Sequence, residues 1–225
     1  MSRSVRHLAV AVAALLVLAA CGDDESPSSD EPSATLPAAD APLPDGCAPA
    51  DGSAAQQREF SDGPPMCLQN GKSYRALVET NHGTFNIVLR PDIAPNTVNS
   101  FVNLARYHYF DGTTCHRAIV GFVVQCGDPT GTGGPGYEFD DELARIEPYR
   151  IGSIAMANAG PNTQGSQFFI ITGDNGAALP PQYTLFGQVD DDDLAVVVAL
   201  DAVANPQDGP PIQPIDIVKV TIIEA

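Results

Sequence analysis

Tryptophan is absent from the 225 residues, and Lys and Arg together number only 11 against 28 Asp and Glu. The resulting net charge of −17 repels phosphate backbones and anionic lipid headgroups. Nucleic-acid binding and electrostatic membrane adhesion are therefore not expected. Nucleophile signatures are missing as well. No Gly-x-Ser-x-Gly elbow occurs, and Ser166 in Gly165-Ser166-Gln167 has no partner histidine at a recognisable spacing, which leaves a hydrolase without its chemistry. The Gly-rich run Gly131–Gly136 lacks the Lys-Ser/Thr of a phosphate loop and reads as a mobile loop; Asp190–Asp193 lacks the alternating ligands and Gly of an EF-hand loop. Cys115, His116 and Cys126 fit no zinc spacing, so neither metal nor cofactor is expected.

Apolar residues make up 44% of the chain, enough for a real core, and 20 Gly with 20 Pro point to many tight turns. The organisation begins with an address. Arg3, Arg6 and His7 precede the apolar run Leu8–Ala20, which is too short for a settled membrane span. The run ends Leu18-Ala19-Ala20-Cys21, small residues before a Cys, which resembles a bacterial lipobox. That resemblance implies a signal peptide over 1–20, cleavage before Cys21, and acylation of Cys21 and the new amino terminus. Several acyl chains supply the multiple anchors that stable attachment to a membrane needs. Residues 21–46 hold five prolines and seven acids without a Lys or Arg, and read as a disordered tether. Residues 47–73 form a Cys-containing extension of no evident role, and 74–225 the folded domain.

Five Cys minus Cys21 leaves Cys47, Cys67, Cys115 and Cys126, an even number in an exported chain, which favours disulfides. Three connectivities are possible; sequence proximity favours Cys47–Cys67 and Cys115–Cys126.

Within the domain, 74–80 and 84–90 read as strands around a turn at Asn81-His82-Gly83. Val98, Phe101, Val102 and Ala105 recur at helical spacing and predict a helix over 96–108. Short strands are predicted over 114–119, 122–125, 151–157, 167–172, 184–189 and 216–224. A second helix is predicted over 192–203, with Asp190–Asp193 complementing its amino-terminal dipole. About eight short strands and two helices predict a mainly β, closed barrel.

Two blocks carry the chemistry. The first is Cys115-His116-Arg117-Ala118-Ile119-Val120-Gly121-Phe122-Val123-Val124-Gln125-Cys126-Gly127-Asp128. The second is Met156-Ala157-Asn158-Ala159-Gly160-Pro161-Asn162-Thr163-Gln164-Gly165-Ser166-Gln167-Phe168-Phe169-Ile170. Together they resemble the cyclophilin family of peptidyl-prolyl cis–trans isomerases, from about Tyr74 to Ala225. The resemblance implies an eight-stranded antiparallel barrel capped by two helices, acting on proline-containing unfolded or extended polypeptides. It assigns Arg117 as the catalytic cation. Phe122, Val123, Phe169 and Leu179 become the lining of a proline pocket. Gln125 orients the Arg, Ala157 and Asn158 form the edge beside the peptide, Gln167 is a further polar contact, and His116 lines the site without a proton-transfer role.

The chemistry suits a residue list without nucleophiles. Rotating an X–Pro bond meets a barrier of ~18–20 kcal/mol set by amide resonance. A permanent cationic donor to the prolyl nitrogen stabilises the twisted state more than either planar one. The sequence departs from the family pattern at Cys115, Val120 and Cys126, and in Ala178-Leu179-Pro180-Pro181-Gln182-Tyr183, where Ala178 falls at the family's Trp and Tyr183 at its His. The departures leave pocket depth on that side open. The expected role is isomerisation of exported chains at the cell envelope; the alternative is a proline-peptide-binding or holdase module with little turnover. The Cys115–Cys126 bond carries a register problem. A regular hairpin centred on Val120-Gly121 sets the two Cys opposite each other but places Arg117 opposite Val124, off the face of Gln125. A bulge, or a wider loop at Val120–Phe122, reconciles the two.

Overall fold

The structure, a computed structural model, describes residues 36–38, 41–129, 131, 133–145 and 147–225. The signal segment and Cys21 lie outside the described residues. No helix among those described is long and apolar enough to cross a membrane.

Nine strands form one curled, wholly antiparallel sheet: β1 (Tyr74–Thr80), β2 (Gly83–Leu89), β3 (Thr113–Thr114), β4 (Arg117–Ile119), β5 (Val123–Cys126), β6 (Ser153–Met156), β7 (Phe168–Ile171), β8 (Leu185–Val189) and β9 (Asp216–Glu224). Their spatial order is β3-β9-β1-β2-β8-β6-β7-β5-β4. The expected count was eight. The ninth arises because Thr113–Thr114 pairs with Ile217 and Asp216 of β9 before the chain turns into β4. The two edges of the sheet, β3 and β4, are thus joined by only Cys115 and His116.

Among the described residues three helices accompany the sheet, one more than expected. The first, α1 (Pro95–Arg106), starts with Pro at its first position, as a residue lacking an N–H should. Its capping acceptor comes from elsewhere in the chain: the Glu142 carboxylate accepts from Asn96 N at 3.0 Å, Thr97 N at 2.8 Å and Thr97 Oγ1 at 2.7 Å. Its apolar face presents Phe101 to Phe110, Phe168 and Phe186, with ring centroids 5.1–5.6 Å apart, in the main core inside the sheet. The short α2 (Asp174–Ala177) was not foreseen. The third, α3 (Leu194–Ala202), follows a 3-10 turn over Asp191–Asp193. The acids there do not cap it. Asp193 Oδ2 instead accepts from Asn86 N and Nδ2 at 2.7 and 3.0 Å, and Asp190 pairs with Arg75.

The extension wraps α1. Asn99 and Asn103, one turn apart, offer Oδ1 to Cys67 N at 2.7 Å and Ala48 N at 2.8 Å, and Asn99 Nδ2 donates to Pro65 O at 2.8 Å. Buried backbone that pairs with no strand is satisfied in this way. Cys47 and Cys67 form a disulfide with Cα atoms 5.6 Å apart. The end of the expected tether is docked rather than free. Leu36 packs on the core, Asn70 N donates to Pro37 O at 2.6 Å, and Gln69 Nε2 donates to Ala41 O at 2.6 Å.

Cys115 and Cys126 are also bonded, Cα atoms 4.1 Å apart. The register problem is resolved by a three-residue loop, Val120–Phe122. Gly121 takes φ of 67°, a conformation open to Gly, and Arg117 lies opposite Gln125 and Ile119 opposite Val123. Cys115 then lies two residues before β4, one step past the position opposite Cys126. There the chain leaves the ladder, and the side chain turns into the core to meet Cys126. The bond ties the short connection between β3 and β4 to the end of β5.

Candidate active site

Strand alternation builds the site. On β5 and β7, Val124, Cys126, Phe168 and Ile170 face the main core, while Val123, Gln125, Phe169 and Ile171 point to the opposite face. That outer face is apolar too, which is why all four residues of β7 are buried. Val123, Phe169 and Ile171 join Ala155 and Tyr149 in a second buried cluster, with Phe122, Ala157, Ala177, Leu179 and Tyr183 packed around it. Phe169 and Tyr183 meet edge to face, centroids 5.3 Å apart. The lining residues expected from the sequence therefore form a single apolar floor.

Arg117 stands at its margin. Register with Gln125 puts both side chains on the floor's face, and Arg117 Nη1 donates to Gln125 Oε1 at 3.2 Å. Gln125 Nε2 donates to Gln167 Oε1 at 2.7 Å, and Gln167 Nε2 to Asp128 Oδ2 at 3.0 Å. An arginine can only donate and a carboxylate can only accept, so the two ends fix the orientation of both amides between them. The guanidinium carbon lies 5.9 Å from the Phe122 ring centroid, the outer limit of a cation–π contact.

Two groups at the site had no signal in the sequence. Asp208 accepts from Arg117 Nε at 2.7 Å and Nη2 at 2.9 Å. This bond raises the Arg117 pKa and lowers that of Asp208. Tyr149 places its hydroxyl against the Tyr183 backbone, donating to its carbonyl at 2.6 Å and accepting from its N–H at 3.1 Å. Burial pushes the Tyr149 pKa up. Tyr149 locks Tyr183, at the position of the family's His, into the floor. His116 lies beside Arg117 on the exposed side and makes no hydrogen bond to the described residues; desolvation lowers its pKa.

Beyond Gln125 and Gln167 a cavity of about 630 Å³ extends between Ala157-Asn158-Ala159 and Gly133–Glu138. Asn158 lines it and donates from Nδ2 to Gln182 O at 3.1 Å. The Gly-rich wall, read from the sequence as mobile, is pinned at both ends. Asp128 accepts from Gly131 N at 2.9 Å and Gly133 N at 3.2 Å, and Phe60 of the extension donates to Pro135 O at 2.8 Å. Gly136, with φ of 110°, presses so closely on Phe60 O that a Cβ has no room. Tyr137 in the same wall has its hydroxyl 2.9 Å from Ser100 Oγ, and burial raises its pKa to about 12.

The described residues thus build a curled antiparallel sheet that carries an arginine, oriented by Gln125 and Asp208, at the margin of an apolar floor, with an amide relay running on to Asp128. The comparisons name the family. The family model for the cyclophilin type peptidyl-prolyl cis-trans isomerases matches residues 75–222, and the chain belongs to that family. A relative named probable peptidyl-prolyl cis-trans isomerase B, from Mycobacterium tuberculosis, is 43% identical over 163 residues, covering 64% of this chain and 52% of its own length. The chain thus spans about half the length of the first curated relatives it matches. Probable isomerase A of Mycobacterium leprae is 41% identical over 169 residues, covering 65% of this chain and 91% of its own. Among solved structures, a cyclophilin type isomerase of Cryptosporidium parvum superposes with a TM-score of 0.61 at 32% identity, over 67% of this chain and 98% of that one. The same protein has been crystallised in the presence of the dipeptide Ala-Pro.

Proposed function

We propose that this chain is a peptidyl-prolyl cis–trans isomerase acting on exported polypeptides at the cell envelope, held there by lipidated Cys21. The observation that carries the activity is the placement of Arg117 at the edge of the Phe122–Val123–Phe169–Leu179 floor, with Nη1 oriented by Gln125. A prolyl ring seated on the floor is gripped while the acyl side turns. As the amide loses resonance, its nitrogen gains a lone pair to which an arginine N–H donates, and this interaction exists only in the twisted state. Gln125 and Gln167 offer polar contacts to the peptide backbone, and Ala157 and Asn158 supply an edge for an extended chain. No proton moves, so His116 needs no catalytic role. A module that only bound proline segments would leave the oriented cation without a use.

The setting rests on Cys21 and the paired cysteines. Uncatalysed X–Pro isomerisation takes tens to hundreds of seconds, slow enough to limit folding of chains emerging from export, and the reaction requires no nucleotide. The activity is tested by following cis-to-trans conversion of a proline tetrapeptide with the purified chain; conversion at the spontaneous rate rejects it. The setting is tested by Cys21→Ala, which should move the protein from the membrane to the soluble fraction or block its maturation. Unchanged processing and membrane association in that variant would reject the lipid anchor.

A further inference from the structure

Arg117 directs two of its three guanidinium nitrogens away from Gln125. Nε and Nη2 both go to the Asp208 carboxylate, at 2.7 and 2.9 Å, and only Nη1 is left on the Gln125 side. A two-pronged pair of this kind is planar and directional, so it sets the angle of the guanidinium plane as well as its position.

Asp208 is itself held firmly for a residue in a loop. Asn205 N donates to Ala118 O at 2.9 Å, Val120 N to Asn205 O at 3.0 Å, and Ala118 N to Gly209 O at 3.0 Å. The segment 205–209 is therefore bonded on both sides of Asp208 to the backbone of β4, the strand that carries Arg117. Within the loop, Gln207 N donates to Asn205 Oδ1 at 2.9 Å and Asn205 Nδ2 to Pro210 O at 3.0 Å. The carboxylate is delivered to the arginine by a braced frame.

The pair does little for the fold. The Asp208 side chain is 67% exposed and that of Arg117 31%, and exposed pairs contribute little to stability. It does much for the arginine. A long, flexible side chain tied only through Nη1 to Gln125 can rotate about that bond; tied also through Nε and Nη2 it cannot.

Resting on the isomerase reading, we infer that Asp208 is a positioning residue for the reaction: it fixes the guanidinium plane so that Nη1 faces the prolyl nitrogen when the bond twists. A positioning role acts on turnover and leaves binding and stability alone. An opposing effect has the other sign, because the carboxylate also offsets the charge of Arg117; if that dominated, removing it would speed turnover.

The test compares the wild-type chain with Asp208→Ala and Asp208→Glu by line-shape NMR on a proline tetrapeptide, which separates peptide binding from exchange on the enzyme. Asp208→Ala should slow on-enzyme exchange roughly five- to fiftyfold, as loss of orientation at a reacting centre does. Peptide Kd should stay within about twofold and Tm should be unchanged, because the pair is exposed. The Arg117 Nε–H signal should exchange slowly with water in the wild type, where it is bonded to Asp208, and lose that protection in Asp208→Ala. Asp208→Glu should restore most of the exchange rate. Exchange in Asp208→Ala equal to or faster than wild type overturns the inference, as does a loss confined to Kd or accompanied by a lower Tm. A wild-type chain that does not accelerate exchange overturns the isomerase reading and this inference with it; an active wild type matched by Asp208→Ala overturns this inference alone.

Discussion

Arg117 and Gln125 lie directly opposite each other on β4 and β5, and one hydrogen bond of 3.2 Å joins their side chains on the outer face of the sheet. The pairing exists because the intervening loop has three residues instead of two. One residue fewer would turn the cation from the apolar floor.

Replacing Arg117 with Ala should lower kcat/KM roughly ten- to a thousandfold, the usual cost of a transition-state donor, with Tm unchanged. Arg117→Lys should also be poor, because a point charge cannot engage Gln125 and Asp208 at once. Wild-type turnover in either variant, measured on a proline tetrapeptide, would reject the assignment.

Removing the Cys115–Cys126 bond as a double Ala variant should destabilise the domain by roughly 3 kcal/mol, the chain-entropy value for a loop of this size. The effect should appear as an earlier denaturant midpoint. Because the bond ties the segment just ahead of Arg117 to β5, the strand of Gln125, kcat/KM should fall as well. Equal midpoints for the two proteins under non-reducing conditions would show that the staple is idle.

The pH profile should be flat. Desolvation lowers the His116 pKa, so the imidazole is neutral above about pH 6.5, and Asp208 holds Arg117 in its charged form. Asp208, with its pKa lowered, stays ionised until the pH falls below the ordinary carboxylate range. Turnover should therefore be constant from about pH 6.5 to 9 and decline only in strong acid, where the pair is lost. A step with a midpoint near neutrality would show that His116 takes part in proton transfer.

Cyclosporin-type ligands should bind more weakly than to Trp-containing family members. The chain has no Trp, and Ala178, exposed after α2, offers no indole N–H at the rim. A missing hydrogen bond of this kind costs on the order of 1–3 kcal/mol. Equal affinities in side-by-side calorimetry would show that another group replaces it.

Much of the site was legible because its parts are local. Arg117, Phe122, Val123 and Gln125 fall within one hairpin, and Gln167 and Phe169 two residues apart at the start of β7. The period of Val98, Phe101, Val102 and Ala105 fixed α1 to within two residues at its end. What stayed hidden depends on distance or on weak local preference. Asp208 is 91 residues from its partner, in a Gly- and Pro-rich loop that carries no motif. Tyr149 acts through a backbone 34 residues away. The helix α2 has the sequence Asp-Asn-Gly-Ala, of which the first three are poor helix formers, and its buried Gly176 holds it in place by packing. The acids before α3 suit a helix amino terminus by charge and stand there; that Asp193 also accepts from the strand N–H of Asn86 and Asp190 also pairs with Arg75 depends on residues far away in the sequence.

The Cys47–Cys67 bond has a mechanical consequence. Tension applied to the chain ahead of residue 47 passes through the sulfur bridge to residue 67 and on into β1, which lies beside β9 at the carboxyl end of the domain. Residues 48–66 form a closed covalent ring off that load path. Phe60, which braces the Gly-rich wall of the cavity, sits inside the ring. A pull on the amino-terminal end would therefore bypass residues 48–66 through the bridge and leave the cavity wall unloaded.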